Sequence, residues 1–207
     1  MDRGWPDVLF KAREFVWWCQ VALRVDLSKF NNAWYQPGRG LLIRLLWIFL
    51  SALFVQCAWN PSSAFRVMLL RLFGAQVGQG VVIKPGVQVK YPWRLEVGDH
   101  VWIGEGAWID NLADVKIGSH SCLSQGCYLL TGNHDYRSTA FDLRVGAIVL
   151  EDGAWVGAKA IVCPGVTVGE EAVLAVGSVL SSDADAAMVY RGNPAVPVKQ
   201  RYPEGPA

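Results

Sequence analysis

The stretch that decides the fold runs from residue 150 to residue 180 and reads LEDGAWVGAKAIVCPGVTVGEEAVLAVGSVL. An aliphatic residue returns in it at every sixth position without interruption. An α-helix places apolar residues about 3.6 positions apart and an amphipathic strand about 2, so neither explains the period. Short strands joined by turns explain it, because stacked coils each bury an aliphatic residue. The residues of this frame are Leu150, Val156, Val162, Val168, Leu174 and Leu180.

The same period extends toward the N-terminus in shorter frames, and glycine often follows the aliphatic residue where the chain must turn. The persistence of these frames favours a parallel β-helix over an antiparallel sandwich with glycine-rich turns. We therefore predict a β-helix over residues 76–190, after a helical N-terminal extension over 1–75 and before a C-terminal tail over 191–207. The upstream frames are Val77, Ile83 and Val89; Val97, Ile103, Ile109 and Val115; and, after a two-residue shift, Ile117, Leu123 and Leu129.

The composition limits the partners and the compartment. A formal net charge of +1 argues against a nucleic-acid binder, which normally carries a strong basic excess. Residues 1–75 nevertheless hold nine Lys or Arg against four Asp or Glu, and six of the ten Trp, which raises the possibility of peripheral membrane contact. The five cysteines without a C-x-x-C pair, and an N-terminus without a signal-peptide pattern, favour the cytoplasm.

The N-terminal extension contains three candidate helices, over residues 7–24, 41–55 and 62–73. The apolar run 41–55 is interrupted by Arg44 and is shorter than the roughly 20 residues that a spanning helix needs. These helices can cap the open first coil, whose strand edges would otherwise invite pairing, or can also dock on a membrane.

An excursion interrupts the repeat between Leu129 and Leu150, where twenty residues replace the expected five. Long loops on rigid scaffolds are often functional, and this loop, residues 130–149, contains His134. An imidazole, with a reference pKa of ~6.5, can remove a hydroxyl proton at neutral pH. Asp135 can orient this imidazole or cap a turn. His134 is the candidate general base, and an ordinary solvated loop histidine is the alternative.

The aliphatic-Gly-x-x-x-x repeat resembles that of the hexapeptide-repeat acyltransferases. The loop sequence TGNHDYR, residues 131–137, is similar to that of colanic-acid-type exopolysaccharide O-acetyltransferases, and its GNH segment also resembles the maltose and galactoside acetyltransferases. The resemblance implies an all-β, left-handed parallel β-helix that works as a homotrimer. It further implies O-acetylation of a sugar or lipid-linked oligosaccharide, in exopolysaccharide or lipopolysaccharide biosynthesis, from acetyl-CoA and without a metal.

The resemblance also implies site residues. His134 matches the catalytic base, Asn133 belongs to the same motif, and Asp110 or Asn111 matches a polar acceptor contact, with a plain turn role open for either. Relatives often carry Thr-Lys where this chain has two serines at 181 and 182, a loss for which Arg191, Lys199 and Arg201 can compensate. The residues that match the donor site are Trp155, Ala158, Val176, Gly177, Ser181 and Arg191.

Three alternatives remain open from the residues alone. His100, His120 and His134 on a β-helix are similar to the three zinc ligands of gamma-class carbonic anhydrases. An acetyltransferase for a non-sugar acceptor, such as serine or an antibiotic, is the second alternative, and a non-catalytic β-helix scaffold is the third.

Overall fold

The computed structural model describes residues 24–203 of the chain. The predicted helix over residues 7–24 lies outside this range apart from its last position.

Residues 76–180 form five stacked coils of three short strands each, which confirms the predicted parallel β-helix. In chain order the strands are β1 (Gln76–Val77), β2 (Val82–Ile83) and β3 (Gln88–Val89); β4 (Leu95–Val97), β5 (Trp102–Ile103) and β6 (Trp108–Asp110); β7 (Val115–Ile117), β8 (Cys122–Leu123) and β9 (Tyr128–Leu130); then, after the hairpin β10 (Gly132–His134) and β11 (Leu143–Val145), β12 (Ile148–Leu150), β13 (Trp155–Val156) and β14 (Ile161–Val162); and β15 (Thr167–Val168), β16 (Val173–Leu174) and β17 (Val179–Leu180).

The strands stack into three parallel sheets that form the faces of a triangular prism, wound in the left-handed sense. Sheet A contains β1, β4, β7, β12 and β15; sheet B contains β2, β5, β8, β13 and β16; sheet C contains β3, β6, β9, β14 and β17. Two further strands, β18 (Met188–Gly192) and β19 (Ala195–Gln200), extend sheet B, with β19 antiparallel to β18. The domain boundaries at residues 75 and 190 stay a prediction.

The aliphatic residues of the predicted frames point into the prism and are buried, apart from Val77, which is half-buried in the first coil. The coils are so close that Cβ atoms are excluded at several turns. A Cβ on Gly118 would lie 2.6 Å from the backbone nitrogen of Asp152 in the next coil. The six-residue period therefore has two causes: the apolar interior of the prism, and close approach of neighbouring coils at turns such as that of Gly118, where a side chain does not fit.

The coils are not of equal length, and the difference falls on one edge. Gln76 pairs with Glu96, 20 positions later, whereas Val149 pairs with Thr167, 18 positions later. The extra residues of the first two coils lie where sheet C passes to sheet A, which we call the C–A edge. The loop with β10 and β11 also leaves the prism there, and these two strands pair antiparallel.

Two helices cover the open first coil. Helix α1 (Leu41–Leu50) continues into a π-helical turn, Ser51–Val55, and helix α2 (Ser63–Leu72) follows. Trp47 anchors α1, because its indole nitrogen donates to the carbonyl of Val89 at 2.9 Å. Among the described residues, no helix combines the length and the apolar character needed to cross a membrane.

Residues 24–40, which we call the strap, are not helical except for the 3-10 turn Leu27–Lys29. The strap follows the C–A edge and contacts the first coil, the second coil and the loop in turn. Its hydrogen bonds run from Trp93 Nε1 to the Pro37 carbonyl (2.7 Å), from the Tyr35 hydroxyl to the Leu112 carbonyl (2.8 Å) and from the Asp26 nitrogen to the Thr139 carbonyl (2.8 Å).

Candidate active site

His134 ends β10 and is half-buried. Its Nδ1 atom lies 2.8 Å from the carbonyl oxygen of Phe141. A carbonyl oxygen only accepts, so Nδ1 carries the hydrogen, and in the neutral imidazole Nε2 then keeps its lone pair. The loop thus fixes the tautomer that a general base requires.

Two aromatic rings hold the imidazole in place. The Phe141 ring stacks on it at a centroid distance of 4.4 Å and an angle of 8°, and the Phe30 ring of the strap lies 5.5 Å away at 59°. Phe141 has a φ of 53°, a left-handed conformation that is unusual for a bulky residue and is typically held by its surroundings. Sequence reasoning gave neither ring a role. For Phe30 the reason is that no local pattern links the strap to a loop about a hundred residues later.

The neighbours of His134 shape the loop. The Asn133 side-chain oxygen accepts the backbone N–H of His134 at 2.8 Å. Asp135 accepts the backbone N–H of Arg137 at 3.0 Å and forms an ion pair with Arg144. The Arg137 N–H and the charge of Arg144 hold the pKa of Asp135 below its usual value. The contacts of Asp135 are those of a turn cap.

Asp110 ends β6 and lies opposite Leu130 in the parallel ladder, at the root of the His134 loop. Its carboxylate is 2.8 Å from Lys90 Nζ and accepts the Tyr128 hydroxyl at 3.2 Å. Burial, together with Asp110, raises the pKa of Tyr128 to about 12, so the phenol remains a donor at neutral pH. Trp108 stacks on the Tyr128 ring at 4.6 Å. The result is a buried carboxylate beside two stacked rings, of which Trp108 is exposed and Tyr128 half-buried.

Asn111 is fully buried, unlike a residue that meets a substrate. Its side-chain oxygen accepts the backbone N–H of Tyr91 at 2.9 Å, and its amide donates to the Tyr91 carbonyl at 2.6 Å. Both hydrogen-bonding ends are therefore used to tie the second coil to the first. These contacts favour the turn role that the sequence left open for this residue.

Of the residues matched to the donor site, Ala158, Val176 and Gly177 lie where sheet B passes to sheet C, which we call the B–C edge. Gly177 donates to the Ala158 carbonyl at 2.9 Å, and Val176 is 72% exposed beside it. Trp155 lies on sheet B, where its indole nitrogen donates to Ser124 Oγ at 2.9 Å. Lys159, which the sequence analysis did not single out, is exposed at the same edge.

The basic residues near the chain end differ in their surroundings. Arg191 and Lys199 are exposed, and Gly192 beside Arg191 donates to Ser178 Oγ at 3.0 Å, which brings β18 next to Gly177. Arg201 instead pairs with Glu171 at 2.7 Å. It also donates to the Gly153 carbonyl, so its charge is used within the chain. Ser181 is exposed just after β17.

The candidate residues therefore form two groups on different edges of the prism. The candidate base His134 and the acceptor candidate Asp110 lie at the C–A edge, whereas Ala158, Val176 and Gly177 lie at the B–C edge. Within one chain the face formed by sheet C separates the two groups.

The three histidines do not converge. His100 and His120 stack on each other at 5.3 Å in turns between sheets A and B, on another edge than His134. Within residues 24–203, no three His, Cys, Asp or Glu side chains are close enough together to hold a metal ion. The three-histidine site that motivated the zinc alternative is thus not assembled in this part of the chain.

Comparison with known proteins identifies the family. No family model matches the chain. It is 38% identical to "Putative colanic acid biosynthesis acetyltransferase WcaF" of Escherichia coli K12 over 179 residues, which cover 85% of this chain and 97% of that protein. It is 25% identical to the galactoside O-acetyltransferase of the same organism over 133 residues, 62% of this chain and 65% of that protein.

A solved structure gives the same result. The hexapeptide-repeat containing acetyltransferase of Vibrio cholerae O1 biovar eltor, solved as a complex with acetyl coenzyme A, superposes with a TM-score of 0.70 at 25% identity. The match covers 77% of this chain and 87% of that one. With the repeat, the left-handed coils and the loop histidine already established, the chain belongs to the hexapeptide-repeat acetyltransferases.

Proposed function

We propose that this protein transfers the acetyl group of acetyl-CoA to a sugar hydroxyl, in the assembly of an exopolysaccharide or lipopolysaccharide. The observation that carries the proposal is the state of His134, whose Nδ1 donates to the Phe141 carbonyl so that Nε2 is available as a base. The acetyl coenzyme A in the Vibrio cholerae structure supports the donor. The names of the two relatives support the sugar acceptor, since one refers to colanic acid biosynthesis and one to galactosides.

The proposed chemistry is direct transfer without a covalent enzyme intermediate. Nε2 of His134 removes the proton of the acceptor hydroxyl while its oxygen forms a bond to the thioester carbonyl carbon. The carbon–sulfur bond then breaks, and the departing sulfur takes the proton back from the imidazolium. The Phe141 carbonyl stabilises the imidazolium, because it continues to accept the Nδ1 hydrogen throughout.

Asp110 is the proposed acceptor contact. Its carboxylate is held by Lys90 and Tyr128 and is 8% exposed, next to the more exposed Trp108. A carboxylate can accept two sugar hydroxyls, and an aromatic face suits the apolar face of a sugar ring. Asn133, exposed next to His134, is the second proposed contact, whereas the buried Asn111 is not proposed as a contact.

Trp155, Ala158, Val176, Gly177, Ser181 and Arg191 are the proposed donor contacts. Most of them are exposed, and Ala158, Val176 and Gly177 lie along the B–C edge, which supports a ligand lying on the outside of the last coils. Lys159 adds an exposed positive charge to this edge. The charge suits the phosphates of coenzyme A.

We also propose that the protein is a homotrimer in the cytoplasm. The support for the trimer is the division of the candidate residues between two edges, which a neighbouring chain can bring together. The five cysteines without a C-x-x-C pair fit a reducing compartment.

The test is the release of free coenzyme A from acetyl-CoA with a panel of sugars, nucleotide sugars and lipid-linked sugars as acceptors. We expect acceptor-dependent release by the wild type and a loss of at least about a hundredfold in His134→Ala. His120→Ala is the matched control, since this surface histidine lies on another edge, and should keep its activity. Equal rates for His134→Ala and the wild type would exclude the proposed base. Release that depends on serine or an antibiotic, but on no sugar, would exclude the proposed acceptor class.

A further inference from the structure

Helix α1 exposes an unusual amount of apolar surface. Its outward side chains are leucine, isoleucine and phenylalanine, and Leu42 is 82% exposed. We call the α1 residues that are more than half exposed the apolar ridge. They are Leu41, Leu42, Leu45, Leu46, Ile48 and Phe49.

The ridge covers more than half of the circumference of α1. At 100° per residue, the inward stripe of the helix is Arg44, Trp47 and the following Ser51, and every other position of α1 is apolar. A helix that faces water normally carries polar residues on its outer side, and one that is apolar on nearly all sides is covered by protein or lipid. The ridge is therefore a contact surface.

The surface continues onto α2 and is bordered by positive charge. Leu72 of α2 is 74% exposed and lines a groove together with Ile43, Leu46 and Arg39. Arg39 and Arg44 line grooves beside the ridge. Of the six Lys or Arg in residues 24–75 only Arg66 is buried, and the segment has one acidic residue, Asp26. A basic apolar surface is complementary to a lipid leaflet with anionic headgroups.

The shape of the ridge distinguishes lipid from a second copy of the chain. A partner subunit presents a groove that covers one side of a helix, whereas acyl chains can surround a convex ridge on several sides. Helix α1 and its π-helical turn together span 15 residues, or ~22 Å, against a hydrocarbon core of ~30 Å. The helix is thus too short to cross the bilayer and fits a position along its surface.

We propose that the apolar ridge docks this protein on an anionic lipid surface, with α1 lying at the boundary of headgroups and acyl chains. The ridge adjoins the acceptor side of the molecule: a groove of about 380 Å³ connects Ile48 of the ridge to Trp108 and Asp110. Docking would therefore bring the groove close to acceptors that are themselves anchored in lipid. The docking does not depend on the proposed acetyl transfer.

The test is flotation of the full chain with phosphatidylcholine vesicles, with and without about 30% phosphatidylglycerol. The wild type should float with the anionic vesicles. Leu42→Gln/Leu46→Gln/Phe49→Gln should reduce the bound fraction by about tenfold or more, since three inserted side chains are lost. Val196→Gln/Val198→Gln is the matched control, because it changes exposed apolar residues of β19, and should bind like the wild type.

Three outcomes would overturn the proposal. They are a wild type that stays off both vesicles, a triple variant that floats like the wild type, and equal binding of the wild type with and without phosphatidylglycerol. Light scattering of the triple variant tests whether a second copy of the chain occupies the ridge instead. Fewer subunits than in the wild type would show that the ridge is an interface between copies. Because the triple variant changes exposed positions, an unaltered thermal unfolding curve should exclude misfolding as the cause of lost binding.

Discussion

The environment of one imidazole is the most informative detail of the molecule. The loop supplies a carbonyl acceptor and a stacked ring through Phe141, and the strap supplies a second ring through Phe30. The sequence was sufficient to single out His134 as the candidate base, because the loop breaks a regular period and its motif resembles that of a known family. It was not sufficient to identify Phe30, since a phenylalanine in a segment without periodicity has no signal of its own.

Phe30→Ala tests the role of the strap as a positioning element. Loss of the ring should leave the imidazole free to move and reduce kcat by about tenfold, while the KM for acetyl-CoA stays unchanged. Leu27→Ala is the control, because Leu27 lies in the same strap and is 65% exposed. The effect is measured by steady-state kinetics with an acceptor found in the coenzyme A release assay. A kcat equal to that of Leu27→Ala would mean that the ring does not position the base.

Asp110 and Asn111 are neighbours with opposite expected behaviour. Asn111→Ala should lower the free energy of unfolding by about 2–3 kcal/mol, because the Tyr91 backbone groups lose their partners, without raising the acceptor KM. Asp110→Asn keeps the side-chain shape and should raise the acceptor KM by about tenfold at little cost in stability. Urea unfolding and kinetics together separate the two roles. An acceptor KM raised only by Asn111→Ala would reverse the assignment.

At the scale of the elements, the β-helix was predictable from the sequence. The N-terminal part that packs on it, formed by the strap, α1 and α2, was predictable only in part. The period of six fixes which residues enter the prism, and glycine marks the turns where neighbouring backbones approach. Helices α1 and α2 follow from their apolar runs. The strap does not, because its path depends on hydrogen bonds to Trp93, Leu112 and Thr139, residues that no sequence pattern connects to it.

The buried Arg66 joins the helices to the first coil. Its guanidinium donates to the carbonyl oxygens of Val55, Ile83 and Cys57 at 3.1–3.5 Å, and also to that of Asn60. Burial lowers the pKa of Arg66, but a guanidinium remains charged at neutral pH. Its donors therefore bind carbonyls of the π-helical turn, of the link between this turn and α2, and of strand β2.

Arg66→Lys should lower the free energy of unfolding by about 2–4 kcal/mol, because an ammonium cannot reach all of these carbonyls at once. Arg71→Lys is the matched control on the same helix, since Arg71 is exposed and bonds only the Val77 and Gly78 carbonyls. It should cost less than about 1 kcal/mol. The free energies of unfolding of both variants are measured by chemical denaturation. Equal losses in the two variants would show that the buried hydrogen bonds of Arg66 stabilise the fold no more than the exposed ones of Arg71.

At the scale of the whole molecule, the separation of the two candidate groups is the central fact. The C–A edge carries the proposed base, and the B–C edge carries the proposed donor contacts Ala158, Val176 and Gly177, with sheet C between them. A cyclic trimer can place one edge of each chain against another edge of its neighbour, because its interfaces are heterologous. Sequence reasoning could name the residues but could not show that they lie on separate edges.

Mixing two inactive variants tests this arrangement. His134→Ala and Val176→Asp should each be inactive alone, the second because it places a negative charge at an exposed position of the donor edge. If each site takes its base from one chain and its donor edge from the next, coexpression in equal amounts should restore about a quarter of wild-type activity. Light scattering should report three chains. No recovery in mixed trimers, or a monomer, would refute a shared site.

The unequal coils suggest how such a protein changes length in evolution. Residues added at the C–A edge bulge outward and leave the inward pattern of every later strand intact, so that edge can gain loops without refolding the prism. Loss or duplication of an entire coil would move the later strands by one step of ~4.8 Å and also preserve the pattern. Gain or loss of whole coils therefore changes the height of the prism, whereas insertions at the C–A edge change the loops next to the proposed base.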